Sequence, residues 1–581
     1  MTSYLIRGGT IVDGTLKPAY QADLRVANGR IDAIGPDLAA QPGDEIVDAA
    51  GCYVTPGFIE PHTHFDATMW WQNDLNPLPG YGATTIVMGN CGFSAAPISD
   101  DLKVRDEIVG IFAFFEDIDK QAFVNELPWD WRKWSEYKAS MTAKVKLPLN
   151  YAAFVGHIAI RLAVMGMDAW TRAATDEEIA RMCELLDDAC KAGAMGLSTN
   201  QLDFDGDERP VPTFAAEDKE YRALFEVLAR NPGSVCQVVM DTFIRLTCPA
   251  ALERFARLTE GLDVRVQWGG LPTLEFQKPI LGDLQKQHEA LKAQGRDFWT
   301  AYTHVSPTNT LSLTKSLIFA QSGDFVWHEV VAAESWEEKE RLLADPDWRA
   351  RARESWDTKA WAHAPMNNPD RLLLRNSDNG VGPMNLTLVD YMKMTGIEHR
   401  SDAMADWILR NGVKSTVHMA PFPMNEDVII ELIRDPKSVG NVSDAGAHAQ
   451  MFCGPGENML LFTYYVRQGK ISIEEAVHVQ TGKLAEHFNL ADRGVLRVGA
   501  PADVTVFNID EIERREERKI FDAPDGMGGI TWRYTRDPAP MRLTLVNGVA
   551  TFDHRNGATG TRPGQFLAPS AEPVYIAEAA E

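Results

Sequence analysis

The chain is poor in cysteine, with seven in 581 residues, and none of them stands in a CxxC pair. They are odd in number and scattered from Cys52 to Cys453. That argues against a zinc ribbon or a redox motif and suits a reducing compartment. No apolar run reaches about 18 residues, so no membrane span is expected and no membrane partner is read. The opening Met-Thr-Ser-Tyr-Leu-Ile-Arg-Gly-Gly lacks a basic segment followed by an apolar core. No secretion signal is read there, and a cytoplasmic location is expected. Positive charge is also short, with 57 Lys and Arg against 82 Asp and Glu, a net −25. Such a surface repels phosphate backbones and sets nucleic acid aside as a partner. No internal repeat is visible.

What the chain does have is an ordinary globular composition, 45% hydrophobic and 24% charged. Its length fits a barrel of about 250 residues or more plus a second unit. Residues 3–53 read as short strands with turn punctuation, among them Tyr4 to Arg7, Thr10 to Asp13, Ala22 to Val26 and Ile31 to Ile34. The segments Val504 to Phe507 and Met541 to Phe552 alternate in the same way, so residues 1–54 and 491–556 are expected to meet in one small β-sandwich. Between them, apolar strand-like runs alternate with helical segments, the pattern of a parallel α/β unit. The strand candidates are Thr84 to Met88, Tyr151 to Val155, Ala194 to Ser198, Ser234 to Met240, Asp263 to Gln267, Thr416 to His418 and Ser438 to Ser443. Thr175 to Leu186 reads as an amphipathic helix with a capped start. The fold class is therefore α/β, a distorted (β/α)8 TIM-like barrel over 55–490. A Trp-rich insertion around 325–375 is expected to cover part of its mouth, and 557–581 reads as an extended arm or a disordered tail.

One short segment concentrates the chemistry. An apolar run, Tyr53 to Ile59, leads into His62-Thr63-His64. In a strand, side chains two apart share a face, so both imidazoles converge on one point. A parallel barrel builds its active site at the carboxyl ends of its strands, and neutral imidazole is a common ligand of zinc.

Pro56-Gly-Phe-Ile-Glu-Pro-His-Thr-His64 resembles the first-strand signature of the amidohydrolase superfamily, and Gly89-Asn-Cys-Gly92 resembles its D-aminoacylase (N-acyl-D-amino-acid deacylase) branch. Gly156 to Arg161 with Val164 to Gly166, Gly193 to Thr199, Ser443-Asp-Ala-Gly-Ala-His448 and the closing Gly494 to Asp503 are similar too. The resemblance covers roughly 3–270 and 400–555. It implies hydrolysis of an amide bond on an elliptical barrel with one or two divalent ions, Zn2+ foremost. It also implies metal-ligating histidines at the ends of the fifth and sixth strands. The corresponding stretches, Val235 to Asp241 and Val264 to Gly269, contain none. His304 is a substitute whose offset fits poorly. Gln237 and Gln267 remain as groups that hydrogen-bond toward the site.

Amide hydrolysis near neutral pH needs a strong nucleophile and a stabilised oxyanion. A bound cation lowers the pKa of a water to about 7 and polarises the carbonyl. His62, His64 and Asp444 form a candidate ligand set from the first and last strands, and Asp444 is the candidate base. Cys91 is either a thiolate ligand or a small buried residue. His157 is a candidate contact for metal, carbonyl or oxyanion, or else a structural histidine. Arg161 suits a substrate carboxylate or an internal salt bridge. His448 is placed one helical turn after Asp444, where it would orient the loop or the base. Trp70, Phe93 and Phe452 each follow a strand end or a site residue and suggest a pocket for a bulky apolar acyl group, though each also reads as core. The expected function is metal-dependent hydrolysis of N-acyl amino acids or related small-molecule amides. The alternatives are a cyclic amide or imide hydrolase of the hydantoinase kind, and a non-catalytic binding barrel. Large barrel surfaces also make homo-oligomerisation an expectation.

Overall fold

The computed structural model describes residues 2–205, 209–313, 326–333, 335–359, 368–524 and 528–576. One parallel sheet holds Val155–Gly156, Gly196–Gln201, Val235–Met240, Arg265–Trp268, Phe298–Ala301 and Ser438–Val439 in that order. A second holds Phe58–Glu60, Ala83–Met88 and Asn150–Ala153, also parallel. The sheets join at Phe154, where Asn150–Ala153 runs straight on into Val155–Gly156. They close where Thr63 bridges Ala445 and Asn441 Nδ2 donates to Ile59 O at 3.0 Å. With 150–156 counted as one bent strand, this is an eight-stranded parallel barrel. All six residues of Ala83–Met88 are buried, as expected where helices cover the outer face and packed side chains the inner one.

The bore is solid toward the amino ends of the strands. Ile59, Val87, Ala152, Val235, Trp299 and Val439 pack together with Leu484 and Phe488, which leaves the carboxyl ends for chemistry. The helix Asp176–Ala192 starts as expected. Thr175 Oγ1 accepts from Glu178 N–H, and Glu178 Oε2 accepts from Thr175 N–H at 2.8 Å, a reciprocal cap.

Both ends of the chain enter one nine-stranded sheet. Tyr53–Pro56 pairs in parallel with Ser3–Ile11 and antiparallel with Val504–Phe507. Ile6, Leu24, Val54, Val504 and Leu545 share its core. Gly557–Ala558 ends that sheet, and residues 564–567 run beside the Asn150–Ala153 strand. Gly564 N–H donates to Leu147 O, Tyr151 N–H to Gln565 O, and Leu567 N–H to Tyr151 O. Residues 577–581 lie outside the described ones.

Two sequence expectations are corrected. Thr416–Met419 is not a barrel strand. It lies in a four-stranded antiparallel sheet with Asn309–Leu311, Leu372–Asn376 and Leu386–Thr387. Trp327, Trp348, Trp356, Trp407, Leu311 and Val417 form the separate core beneath that sheet. The inserted unit is therefore wider than 325–375, because its helices need these flanking strands to bury their tryptophans against. The seventh barrel strand is instead Phe298–Ala301. A hairpin, Glu517–Pro524 with Ile530–Arg536, reaches back from the second half of the terminal sheet's sequence. It touches the barrel mouth through Tyr534 N–H, which donates to Ala449 O at 2.7 Å.

Candidate metal centre and cavity

The histidine pair follows the strand Phe58–Glu60 rather than lying within it. Its backbone is held extended between neighbours. Thr63 N–H donates to Val87 O at 3.0 Å and His64 N–H to Ala445 O at 2.8 Å. The two rings come within 5.2 Å of each other, centre to centre. His62 Nε2 lies 3.1 Å and His64 Nε2 3.7 Å from Cys91 Sγ. Asp444 Oδ1 lies 3.5 Å from His62 Nε2 and 3.2 Å from His64 Nε2. Behind His64, Nδ1 faces Glu116 Oε1 at 3.0 Å.

Each donor is held by local structure. Cys91 has φ 57° in a turn that Gly89 begins at φ 73°. A Cβ on Gly89 would stand 2.5 Å from Phe154 O, so only glycine fits there. Gln237 Oε1 accepts from Cys91 N–H at 2.9 Å, and Asn200 Nδ2 donates to Cys91 O at 2.8 Å. Asp444 at φ 56° and His448 at φ 49° are also left-handed, a strain characteristic of functional loops. Next to Asp444, Ser443 Oγ donates to Glu60 Oε2 at 2.5 Å. Gly446, at φ 93°, lets the loop pass His64 where a Cβ would meet its carbonyl carbon at 2.9 Å. Glu116 ends the helix Leu102–Phe115, and its carbonyl accepts from His448 N–H at 2.9 Å.

The electrostatics are those of crowded, desolvated donor groups. Burial pulls the His62 ring down to about 4. It acts the same way on His64, but the carboxylates of Glu116 and Asp444 outweigh it and push that ring up to about 9. Burial and then the surrounding carboxylates drive the Cys91 thiol well up. Burial opposes charge on Asp444 too, yet the His64 bond and the rings of His62 and His448 hold it below the carboxylate range. Burial lifts Glu116 to about 7.

Over Asp444 opens a cavity of about 390 Å³, walled mainly by Phe115, Phe243, Phe276, Phe422, Met451 and Phe452. Asn309 and Met419, at the roots of the inserted unit, complete one side. Asp444 contributes a side chain one-third exposed.

The Amidohydrolase family matches residues 45–324 and 394–552. The chain belongs to the amidohydrolase family. That family's class is hydrolases of carbon–nitrogen bonds other than peptide bonds. The unmatched stretch, 325–393, falls inside the inserted unit. Over 577 residues the chain is 35% identical to the D-aminoacylase of Alcaligenes xylosoxydans xylosoxydans, covering 98% of each. The N-acyl-D-aspartate deacylase of the same organism is 28% identical, over 97% of this chain and 95% of the relative. A D-aminoacylase crystal structure superposes with TM-score 0.63 at 24% identity, over 97% of this chain and 99% of that one, a likeness of fold. An N-acyl-D-glutamate deacylase from Bordetella bronchiseptica, complexed with zinc and a phosphonate inhibitor, gives 0.62 at 26% identity over the same shares.

Several expected site residues of this amidohydrolase lie elsewhere. His157 is fully buried, with Nδ1 2.9 Å from Thr199 Oγ1 and Nε2 2.8 Å from Glu220 Oε1. Both nitrogens are used inside the fold, so it contacts neither the donor cluster nor the cavity. Arg161 pairs with Glu220 and donates to the carbonyls of Ala169 and Arg172. It takes the salt-bridge alternative and reaches no substrate. Gln267 Oε1 accepts from His487 Nε2 at 2.8 Å toward the closed end of the bore. Gln237 braces the Cys91 backbone and is no part of the cavity lining. Trp70 stacks on Trp131 at 5.7 Å, and Phe93 packs between Phe112 and Phe115 behind His64. Both are core. His304 Nε2 lies 3.1 Å from Glu457 O, away from the cluster. His448 sits in a turn rather than a helix, with Nδ1 3.6 Å from Asp117 and Nε2 4.0 Å from Asp444 Oδ2. His448 and Phe452 do line the cavity.

Sequence reasoning missed Glu116, Asp117 and Asp203. A detectable signal existed for the first two, since an acid pair directly follows the apolar run Ile111 to Phe115 at a helix end.

Proposed function

We propose that this amidohydrolase is a metal-dependent deacylase. It would hydrolyse the amide bond of N-acyl amino acids or related amides and hold a bulky apolar acyl group in the cavity over Asp444. The observation that carries the reading is the convergence of His62, His64, Cys91 and Asp444, four donors of three kinds, with Asp444 facing the cavity. The names of the full-length relatives support it.

The donor set fits zinc, which takes imidazole, thiolate and carboxylate together. The Glu116 carboxylate behind His64 is the usual device for fixing a ligand ring. We assign these four residues to one ion. At the end of the fifth strand, the Asp241 carboxylate accepts the N–H groups of Phe243, Ile244 and Arg245. The sixth strand ends in Gly269 and Gly270. A second ion would find no imidazole at either strand end. When bound, the ion supplies Lewis acidity for lowering the pKa of a water and polarising the amide carbonyl.

The chain's own groups do the rest. Asp444 takes the proton of the attacking water and hands it to the departing nitrogen. His448, between Asp117 and Asp444, holds that carboxylate in place. The phenyl walls exclude bulk water and bind the acyl chain.

Elemental analysis of the purified protein tests the assignment. Near-stoichiometric zinc that is lost in His62→Ala, together with amide hydrolysis, is the expected result. Absence of metal under every loading condition, or zinc kept by His62→Ala, would discard the reading.

A further inference from the structure

The cavity is walled mainly by apolar side chains, with Thr303, Ser306 and Asn309 among them, and its charged groups are mostly of one sign. Phenylalanine and methionine rings and chains form its sides. Asp203 and Asp444 line it, and Glu116 and Asp117 stand behind His64 and His448. Among the described lining residues His448 is the one basic side chain, and it already faces two carboxylates. A divalent cation on His62, His64, Cys91 and Asp444 would be matched by one thiolate and one carboxylate. Glu116, Asp117 and Asp203 then surround the site with further acids, and His448 is the one basic group among the described lining residues.

Arg245, which follows the lining residue Ile244, is exposed to solvent, and four other guanidinium groups are held within the fold. Arg161 holds Glu220. Arg514 and Arg536 hold Glu457 at 3.1 and 2.9 Å. Arg371 lies 4.7 Å from the centre of the Phe422 ring and donates to the carbonyls of Ala420 and Pro421. A carboxylate on the amine side of a substrate needs a cation or converging N–H donors. Here it would be desolvated against phenyl rings and repelled by acids.

We propose that the preferred substrate carries no carboxylate beside the scissile nitrogen and is an uncharged amide with an apolar group on each side of the bond. This rests on the deacylase reading of the same site and narrows it to neutral members of that class, away from the acyl amino acids named for the relatives.

N-octanoyl-phenethylamine differs from N-octanoyl-D- and N-octanoyl-L-phenylalanine only in lacking the carboxylate. Stopped-flow tryptophan fluorescence on the zinc-loaded protein reads binding before turnover, and chromatography reads released amine. The phenethylamide should bind at least tenfold more tightly than either acid, with kcat/KM in the same order. Phe243→Arg places a cation at a lining position that is 42% exposed. It should shrink the difference at least threefold by improving the acids. An acid that binds as tightly as the phenethylamide to the unaltered protein overturns the inference. Preferential binding of the phenethylamide without any release of amine overturns the deacylase reading alone and leaves the selectivity of the cavity standing.

Discussion

Two buried histidine clusters sit in one barrel and settle their burial in opposite ways. Around His157 the fold is self-sufficient. Thr199 and Glu220 take both ring nitrogens, and Arg161 takes the remaining oxygen of Glu220. Burial would lift the Glu220 carboxyl, but the bonds from His157 and Arg161 hold it low. Around His62 and His64, basic nitrogens and a thiol point at one another and at Asp444 instead. One cluster is a closed ion-pair network. The other is a set of converging lone pairs that makes physical sense with a cation among them. Residue types alone do not separate the two, since both contain histidine and acid next to family-like motifs. The difference lies in whether the partners satisfy each other.

That contrast can be broken deliberately, and the largest effect should come at the open cluster. Asp444→Asn removes the proton carrier and should lower kcat by about 10²–10⁴-fold while the circular dichroism spectrum and melting temperature stay near those of the parent. Wild-type turnover in that variant would dissociate Asp444 from the chemistry. At the closed cluster the effect should fall on stability. Arg161→Ala strands the Glu220 charge in the core and should cost about 3–5 kcal/mol in denaturant unfolding, with zinc content per folded molecule unchanged. If KM rises instead and stability holds, Arg161 touches substrate after all. A smaller shift should follow Glu116→Gln, which weakens the support behind His64. It should reduce zinc affinity by about 10–100-fold in a chelator competition, whereas the same change at Glu220 should leave zinc affinity alone. The smallest expected effect separates cavity from core. Phe452→Ala should raise KM for octanoyl amides more than for acetyl amides, by the equivalent of about 1–2 kcal/mol of lost apolar burial. Trp70→Ala should leave that ratio unchanged and lower the melting temperature, because its ring packs on Trp131 and Tyr137.

Much of the barrel was legible because its strands are short apolar runs at the spacing a parallel sheet requires. The donor pair was legible for the same reason, as two imidazoles following such a run. Phe298–Ala301 escaped notice because four residues opening on Phe-Trp carry no period of their own. Thr416–Met419 misled because a strand-prone tetrapeptide does not reveal which sheet receives it. His157 and Arg161 were drawn toward the site by neighbouring motif residues, whereas their actual partner, Glu220, lies on a helix some sixty positions later. Glu116 and Asp203 were hidden because a buried acid is written no differently from a surface one. Their roles exist only after the helix Leu102–Phe115 and the loop after Gln201 fold over the mouth.

The strap formed by residues 564–570 has a consequence for biogenesis. It bonds to Leu147, Tyr151 and Asn489, while Val504–Phe507 pairs with Tyr53–Pro56, from the first tenth of the chain, and Leu543–Val546 pairs with Val504–Phe507 in turn. A nascent polypeptide still lacking these late segments leaves early β-edges bare on the ribosome. Closure of these edges waits until the late segments have been made, so shelter of the early strands during elongation should raise the yield of folded protein.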